Sequence, residues 1–150
     1  MTPLVQDATG NDLTYRIIGA AMTVHNQLGP GYKEEVYERA LAVELAKCQI
    51  PAQAQFPVEV HYDGTPVALF YLDLLVDQTV VVEVKALSHQ LTDDERAQVI
   101  NYLKATGAPV GLLFNFGRRR LEYKRIFPSA TTSSELPQRL GRDNVKRGVG

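Results

Sequence analysis

The chain has 150 residues, of which 45% are hydrophobic and 22% are charged, and this composition is typical of one soluble globular domain. No run approaches the roughly 20 apolar residues of a membrane span. The N-terminus also lacks the basic and apolar stretches of a signal peptide, so we expect a cytoplasmic protein. The single cysteine, Cys48, excludes an intrachain disulfide and a metal site built from several cysteines.

The net charge of -1 conceals a difference between two parts of the chain. From Gly117 onward there are nine Lys and Arg residues against three acidic residues, so this part carries +6 and the rest -7. A basic end beside an acidic centre suits a polyanionic ligand held near a metal site. A solvated basic tail without a partner would have the same composition.

The first third of the chain predicts two helices. Asn11 or Asp12 can cap the first helix, whose apolar residues recur at helical spacing and which Gly29-Pro30-Gly31 ends. A second helix is predicted over residues 33–47, and Ile50-Pro51 follows it.

Three strand sequences come next. Residues 56–62 alternate in polarity, and Asp63-Gly64 after them predicts a tight hairpin turn. Residues 67–76 and 79–85 are rich in Val, Leu and aromatic residues, which predicts central strands buried on both faces.

The last predicted elements are a helix and two strands. Thr92 and Glu95 have the spacing of a capping box, and the helix they begin is expected to end at Gly107. An apolar strand is predicted over residues 110–116, and an edge strand over residues 121–127.

This order of elements predicts an α/β fold with a mixed β-sheet flanked by helices, because antiparallel hairpins lead into a crossover helix. We expect residues 1–128 to form one domain. Residues 129–150 are rich in Ser, Thr, Gly and basic residues, and they are expected to be a disordered basic tail.

Three charged residues lie within the central strand sequences, where burial makes charge costly. Asp73 is in the first run, and Glu83 and Lys85 end the second. Side chains alternate along a strand, so Glu83 and Lys85 point to the same face. If residues 76–79 form a turn between antiparallel strands, Asp73 lies near Glu83. The three side chains then form a minimal site for a divalent cation and an activated water. A buried structural ion pair of Lys85 with either acid is the alternative.

The same residues resemble a known signature. Asp73 followed by Glu83-Val84-Lys85 is similar to the motif of the PD-(D/E)XK nuclease superfamily. Gly31-x-x-Glu34-x-x-Tyr37 resembles the motif after which the GxxExxY family of that superfamily is named, and residues 97–107 and 111–117 agree with it. The resemblance covers roughly residues 15–127. It implies a restriction-endonuclease-like fold with a metal site at one edge of the sheet.

The resemblance also implies a ligand set for Mg²⁺ or Mn²⁺. Hard cations prefer oxygen ligands, so Asp73, Glu83, Glu34 and the carbonyl of Val84 are the candidate metal ligands. Lys85 would lie beside the attacking water and stabilise charge on the phosphate.

The second helix offers Glu34 and Tyr37, one turn apart on the same face. The resemblance makes Glu34 an additional acid at the metal. Its alternative role is a favourable interaction with the helix dipole, and Glu35 and Glu38 compete with it for the same assignment. Tyr37 is a candidate contact to nucleic acid, with simple packing as the alternative.

The third helix and the following loop complete the candidate site. Gln98 and Tyr102 share one helix face: Gln98 is a candidate catalytic residue orienting Lys85 or water, and Tyr102 is a candidate contact to nucleic acid. A partly exposed helix face explains the pair equally well. The candidate phosphate contacts are Arg118, Arg119 and Arg120.

These assignments predict a Mg²⁺-dependent nuclease that hydrolyses phosphodiester bonds of DNA or RNA. The first alternative is a non-catalytic nucleic-acid-binding or assembly module that retains the nuclease fold. The second is a structural protein in which the charged trio is an ion pair. A chain of this size has few residues for substrate recognition, so we also expect a homodimer that presents two sites to two strands.

Overall fold

In the computed structural model, the residues described are Gln6 and 12–129. Within this part of the chain, a single sheet of five strands carries two helices on one face and one on the other. The elements are α1 (Leu13–Leu28), α2 (Glu34–Lys47), β1 (Ala52–Tyr62), β2 (Thr65–Val76), β3 (Val80–Lys85), α3 (Asp93–Thr106), β4 (Val110–Asn115) and β5 (Glu122–Ile126).

The ends of α1 and α3 follow the predicted capping signals. Asp12 caps α1, and its carboxylate accepts a hydrogen bond from the Thr14 amide at 3.0 Å. Thr92 and Glu95 form the capping box of α3, and Gly107 ends that helix in the left-handed conformation with φ 74°. At each of these ends the capping residues form hydrogen bonds with backbone groups that have no partner within the helix.

The connection into α2 depends on glycine. Gly29 and Gly31 have φ values of 68° and 117°, in the region that a side chain disfavours. Lys33 then occupies the N-cap position without a capping side-chain hydrogen bond. Glu34 and Glu35 lie in the first turn, where their charge interacts favourably with the helix dipole.

The sheet has the strand order β1-β2-β3-β4-β5. β3 and β4 are parallel and joined through α3, whereas the other three neighbouring pairs are antiparallel. Asp63 and Gly64 both have positive φ in the β1–β2 turn, as a type I′ hairpin requires. The predicted α/β fold with a mixed, helix-flanked sheet is confirmed.

A hydrophobic core lies on each face of the sheet. On one face, α1 and α2 pack against β2, β3 and β4, with Tyr37, Leu41 and Phe116 fully buried. On the other face, α3 packs through Val99 and Leu103. The centre of the sheet, β3 and β4, is therefore covered on both sides.

The prediction that residues 67–76 are buried throughout is wrong. Leu72 and residues 74–76 are buried, whereas Val67, Leu69 and Tyr71 are exposed. The reason is that β2 pairs with β3 only over residues 74–76, so its first half extends beyond the central sheet and the helix layers cover it only in part, as where Phe70 meets α3.

Among the residues described, no helix is both long enough and apolar enough to cross a membrane. The predicted disordered basic tail falls, apart from Ser129, outside the described residues.

Candidate metal and catalytic site

The site forms where β2 and β3 separate. Their last paired residues are Leu74 and Val82. Beyond this point the amide of Val84 donates a hydrogen bond of 2.7 Å to Oδ2 of Asp73. The Val84 amide therefore bonds to a side-chain carboxylate in place of a backbone carbonyl of the neighbouring strand. The end of the strand pairing therefore places Asp73 against β3, as the sequence predicts.

Glu83 lies on β3 with only 5% of its surface exposed. Its Oε2 is 3.9 Å from Nζ of Lys85, two residues further along the same strand face. Its Oε1 is buried and has no hydrogen-bond partner among the residues that the structure describes. Leaving a buried carboxylate oxygen unsatisfied is costly, so this atom requires a proton, a water or a cation.

Helix α2 adds two acids above this pair. Glu38 lies close enough to Asp73 to raise the pKa of that carboxyl, and the charge of Glu34 raises the pKa of Glu83. Gln55 on β1 holds Glu38 through a hydrogen bond of 2.7 Å from Nε2 to Oε1. Glu34 and Glu38 are one helical turn apart, so both reach the same side of α2.

Glu38 is a site residue that the sequence analysis left as a competitor of Glu34. Its spacing of four residues from Glu34 was the available signal, because such a pair shares a helix face. The sequence does not indicate which face meets Asp73.

Burial and mutual repulsion raise the pKa values of the two strand carboxylates. For Asp73, burial raises the pKa from 3.8 to about 7, the Val84 hydrogen bond opposes the rise, and Glu38 adds to it. For Glu83, burial raises the pKa from 4.5 to about 8, the charge of Asp73 adds to it, and Lys85 opposes it. A single ammonium group does not balance the acids gathered here.

The donor set fits a hard divalent cation, since it consists of carboxylate oxygens and includes the unpartnered Oε1 of Glu83. The fit is incomplete in one respect. Over residues 12–129 and Gln6, no three His, Cys, Asp or Glu side chains are already arranged to hold an ion. Binding would need a rotation of the exposed side chain of Glu34, or a movement of the half-buried Glu38 away from Gln55.

A family model of the PD-(D/E)XK nuclease superfamily matches residues 11–126. The chain belongs to this superfamily. No curated protein matches it. Among solved structures, the crystal structure of SSO0001 matches with a TM-score of 0.49 and 16% identity, over 63% of this chain and 49% of that one. The chain thus spans about half the length of SSO0001.

In this PD-(D/E)XK domain, α3 forms a second wall of the site. Nε2 of Gln98 donates a hydrogen bond of 3.0 Å to the Tyr102 hydroxyl. Burial raises the pKa of Tyr102, and the charges of Glu83 and Asp73 raise it further, so the hydroxyl lies within electrostatic reach of both acids. The two predicted site residues of α3 therefore contact each other through the hydrogen bond from the Gln98 amide to the Tyr102 hydroxyl.

Tyr37 is buried in the interior of the domain. Its surface is 0% exposed, and its ring stacks on Phe116 with centroids 4.8 Å apart. The hydroxyl donates to the carbonyl of Gly29 and accepts from the amide of Tyr32 at 3.1 Å. Tyr37 therefore holds the turn that begins α2 and leaves no side-chain surface for nucleic acid.

The three arginines lie in the loop after β4, at the same end of the parallel pair as Lys85. Nη1 of Arg118 is 3.8 Å from Oε1 of Glu122. The carbonyl oxygen of Arg118 is 2.8 Å from Nε2 of His25. Arg119 and Arg120 are exposed. Of the three, these two are the side chains most accessible to a polyanion.

Asn115 organises the segment that follows Lys85 and was absent from the sequence-based site. It is fully buried next to Lys85 in the β3–β4 register. Its Oδ1 accepts from the amides of Leu87 at 2.8 Å and Gly117 at 3.1 Å, and its Nδ2 donates to the carbonyl of His89 at 3.0 Å. The side chain thereby fixes the loop between Lys85 and α3.

Glu122 on β5 continues this network. Its carboxylate accepts from the Leu91 amide at 3.1 Å and from Nδ2 of Asn115 at 3.3 Å. Gly117 closes the network, because a Cβ there would lie only 2.4 Å from the carbonyl oxygen of Leu87. Asn115 and Gly117, which lie in the segment 111–117 that resembles the family, therefore hold the loop beside the site.

Proposed function

We propose that this protein is a divalent-cation-dependent nuclease of the GxxExxY family, which hydrolyses phosphodiester bonds of DNA or RNA in the cytoplasm. The observation that carries the proposal is the buried carboxylate of Glu83, whose Oε1 has no partner in the described part of the chain although Asp73 and Lys85 lie beside it. A purely structural ion pair would satisfy both oxygens with nearby donors.

The ligands follow from the positions of the acids. Asp73 and Glu83 would hold Mg²⁺ or Mn²⁺ with one of Glu34 and Glu38, and the carbonyl of Val84 remains a further candidate. When bound, the cation would polarise the scissile phosphate and lower the pKa of a water molecule.

The other residues of the chain act on the substrate. The Lys85 ammonium, held 3.9 Å from Glu83, would stabilise the negative charge that develops on the phosphate oxygens. Gln98 and Tyr102 would orient the scissile region from the α3 wall. Arg119 and Arg120 would bind the flanking backbone phosphates.

Membership of the GxxExxY family is supported by the roles of its three named positions. Gly31 has a φ of 117°, Tyr37 anchors the turn through Gly29, and the charge of Glu34 acts on Glu83. The motif then serves to present acids from α2 to the strand pair. A homodimer is part of the proposal, since it would act on both strands of a duplex.

Calorimetric titration with Mg²⁺ and Mn²⁺ tests the metal site first. Wild type should bind stoichiometrically, and the Asp73→Ala/Glu83→Ala variant should lose binding while keeping a cooperative melting transition. Glu35→Gln, an exposed acid in the same helix turn, is the matched control and should bind as wild type does. Cleavage of single- and double-stranded DNA and RNA is then measured on the same proteins.

Two results would contradict the proposal. If wild type binds no cation even with an oligonucleotide present, the charged trio is a structural ion pair. If it binds cation and nucleic acid but cleaves none of the four substrate classes, the non-catalytic binding or assembly module is the better description.

A further inference from the structure

Gln55 has a backbone conformation that is unusual for its place in the fold. Among the described residues, it is the one non-glycine residue within a strand that has a positive φ. Its φ is 53°, in the left-handed region that side chains disfavour. Residues held in such a conformation persist only where the surrounding structure fixes them, and they are frequent at functional sites. We therefore examined what surrounds Gln55.

Gln55 lies opposite Asp73 in the β1–β2 pair. Residues 54 and 56 of β1 pair with residues 74 and 72 of β2, and the two residues between them are absent from the pairing. The irregular residue of β1 is therefore the neighbour of the candidate metal ligand on β2.

Both strands change the layer that they face at this point. Leu72 belongs to the core under α3 and Leu74 to the core under α1 and α2, although residues two apart in a regular strand share a face. On β1, Phe56 packs against the α3 core, whereas Ala54 lines a cavity beside α2. The left-handed conformation of Gln55 therefore accompanies a reversal of both strands.

The side chain of Gln55 is bonded to helix α2. Its Nε2 donates a hydrogen bond of 2.7 Å to Oε1 of Glu38. Glu38 in turn lies close enough to Asp73 to raise the pKa of that carboxyl. One residue of β1 thus holds an acid of α2 next to the strand carboxylate.

Gln55 shares a cavity with both acids of α2. Gln55, Glu34 and Glu38 line a space of about 790 Å³ that extends to Ala86, the residue after Lys85. A cation entering this cavity therefore meets two carboxylates, of which Gln55 holds one.

The two acids differ in their freedom to move. Glu38 is half-buried and would have to give up a charge-assisted hydrogen bond to Gln55 before it could approach a cation. Glu34 is exposed, and in the described part of the chain no hydrogen bond holds its carboxylate. Its charge already acts on Glu83 and raises the pKa of that group. Rotation of Glu34 is therefore the easier of the two movements.

We propose that Gln55 is a positioning residue of the metal site, which holds Glu38 outside the coordination of the cation and leaves Glu34 to complete it. Glu38 would then be an outer acceptor for waters that Mg²⁺ retains. The inference rests on the proposed function, and it assigns different roles to the two acids of α2.

Calorimetric titration of the full chain with Mn²⁺, without substrate, compares two substitutions that remove the same charge. Glu34→Gln should weaken binding about 100-fold or more, because loss of an outer partner alone typically costs about 10–100-fold. Glu38→Gln should weaken it about 10-fold or less, because the amide oxygen can still accept from Gln55. Melting temperatures check that each variant is folded.

A second set of titrations tests the role of Gln55 directly. In Gln55→Ala, Glu38 is released and can take the place of Glu34. Adding Glu34→Gln to this background should therefore weaken Mn²⁺ binding only about 10-fold or less, so the two substitutions are not additive. Gln53→Ala, at an exposed residue of the same strand, is the matched control background, in which Glu34→Gln should keep its full effect.

Melting temperatures also test the backbone conformation. Glycine adopts a positive φ without strain, so Gln55→Gly should melt at a higher temperature than Gln55→Ala. A glycine variant that melts at or below the alanine variant would show that residue 55 is not held in the conformation from which its side chain reaches Glu38, and would overturn the inference.

Two binding results would overturn the inference and leave the metal site and the nuclease intact. If Glu38→Gln weakens Mn²⁺ binding as much as Glu34→Gln, Glu38 is itself a ligand. If Glu34→Gln has the same effect with and without Gln55, Gln55 does not hold Glu38 back. A wild type that binds no cation contradicts the proposed function, and the inference with it.

Discussion

The β1–β2 hairpin and the β3–β4 pair are built from similar residues but have opposite surroundings. β3 and β4 share six register pairs and are buried almost throughout between the helix layers. β1 and β2 share ten register pairs, and most of their residues are exposed. Val- and Leu-rich sequence thus occurs both in the centre of this sheet and on its surface.

The difference arises at Asp73. Residues 74–76 of β2 pair with β3, whereas Asp73 and the residues before it in the chain do not. The separation exposes the first half of β2, and it also frees the Val84 amide to bind the Asp73 carboxylate. The same departure from regular pairing therefore creates the candidate site and leaves the first half of β2 exposed.

The largest expected effect is on cleavage, from a substitution in the central strand β3. Lys85→Ala should lower cleavage by about 10²–10³-fold or more, because it removes the cation that would stabilise transition-state charge. The melting temperature should change little. Lys104→Ala on α3 is a control for the loss of one positive charge. Normal cleavage by a folded Lys85→Ala protein would remove Lys85 from the mechanism.

Asn115→Ala should have the next largest effect, on stability. Four hydrogen bonds at a fully buried residue are lost, so we expect a destabilisation of about 3 kcal/mol in urea unfolding. Asn101→Ala, at an exposed position of α3, should cost less than about 0.5 kcal/mol. If the two variants are equally stable, the buried network does not hold the loop after Lys85.

Much of the fold is predictable because its signals are local. The Asp12 cap, the Thr92–Glu95 capping box and the Asp63-Gly64 turn each depend on contacts within a few residues, and each is found as predicted. The mixed sheet follows from the order of these elements. Short-range interactions therefore made the elements and their order predictable from the sequence.

Predictions that need the relative placement of elements succeeded less often. Periodicity cannot tell that β2 leaves β3 at Asp73, so the burial of residues 67–71 was predicted wrongly. It also cannot choose between Glu34 and Glu38, or tell that the hydroxyl of Tyr37 bonds to Gly29. These facts depend on which helix face meets which strand, and packing decides that.

The raised pKa values of Asp73 and Glu83 predict an unusual dependence of stability on pH. Between about pH 4 and pH 8 the folded, metal-free protein retains protons that the unfolded chain has lost. Its unfolding free energy should therefore fall as the pH rises through this range. We expect a loss on the order of 2 kcal/mol, reduced from the nominal value because Asp73 is partly exposed.

Urea unfolding in chelator at pH 5 and pH 8 measures this change. Asp73→Asn/Glu83→Gln should show a smaller change, since neither amide titrates, and Mg²⁺ should restore stability to wild type at pH 8 but not to the variant. If the pair stabilises the folded state more at pH 8 than at pH 5, the two carboxylates are already charge-compensated and the case for a cation weakens.

The smallest expected effect is on nucleic-acid binding by the loop that carries Arg119 and Arg120. Arg119→Ala/Arg120→Ala should weaken oligonucleotide binding by a modest factor and reduce its salt slope by about 1 per arginine, because each exposed side chain would neutralise one phosphate. Fluorescence anisotropy in chelator, over a series of salt concentrations, measures both quantities without cleavage. Lys47→Ala at the far end of α2 is the control and should leave the slope unchanged. An unaltered slope in the double variant would mean that the polyanion follows another path across the domain. The hairpin cannot supply that path, because it has no Lys or Arg to exchange for counterions.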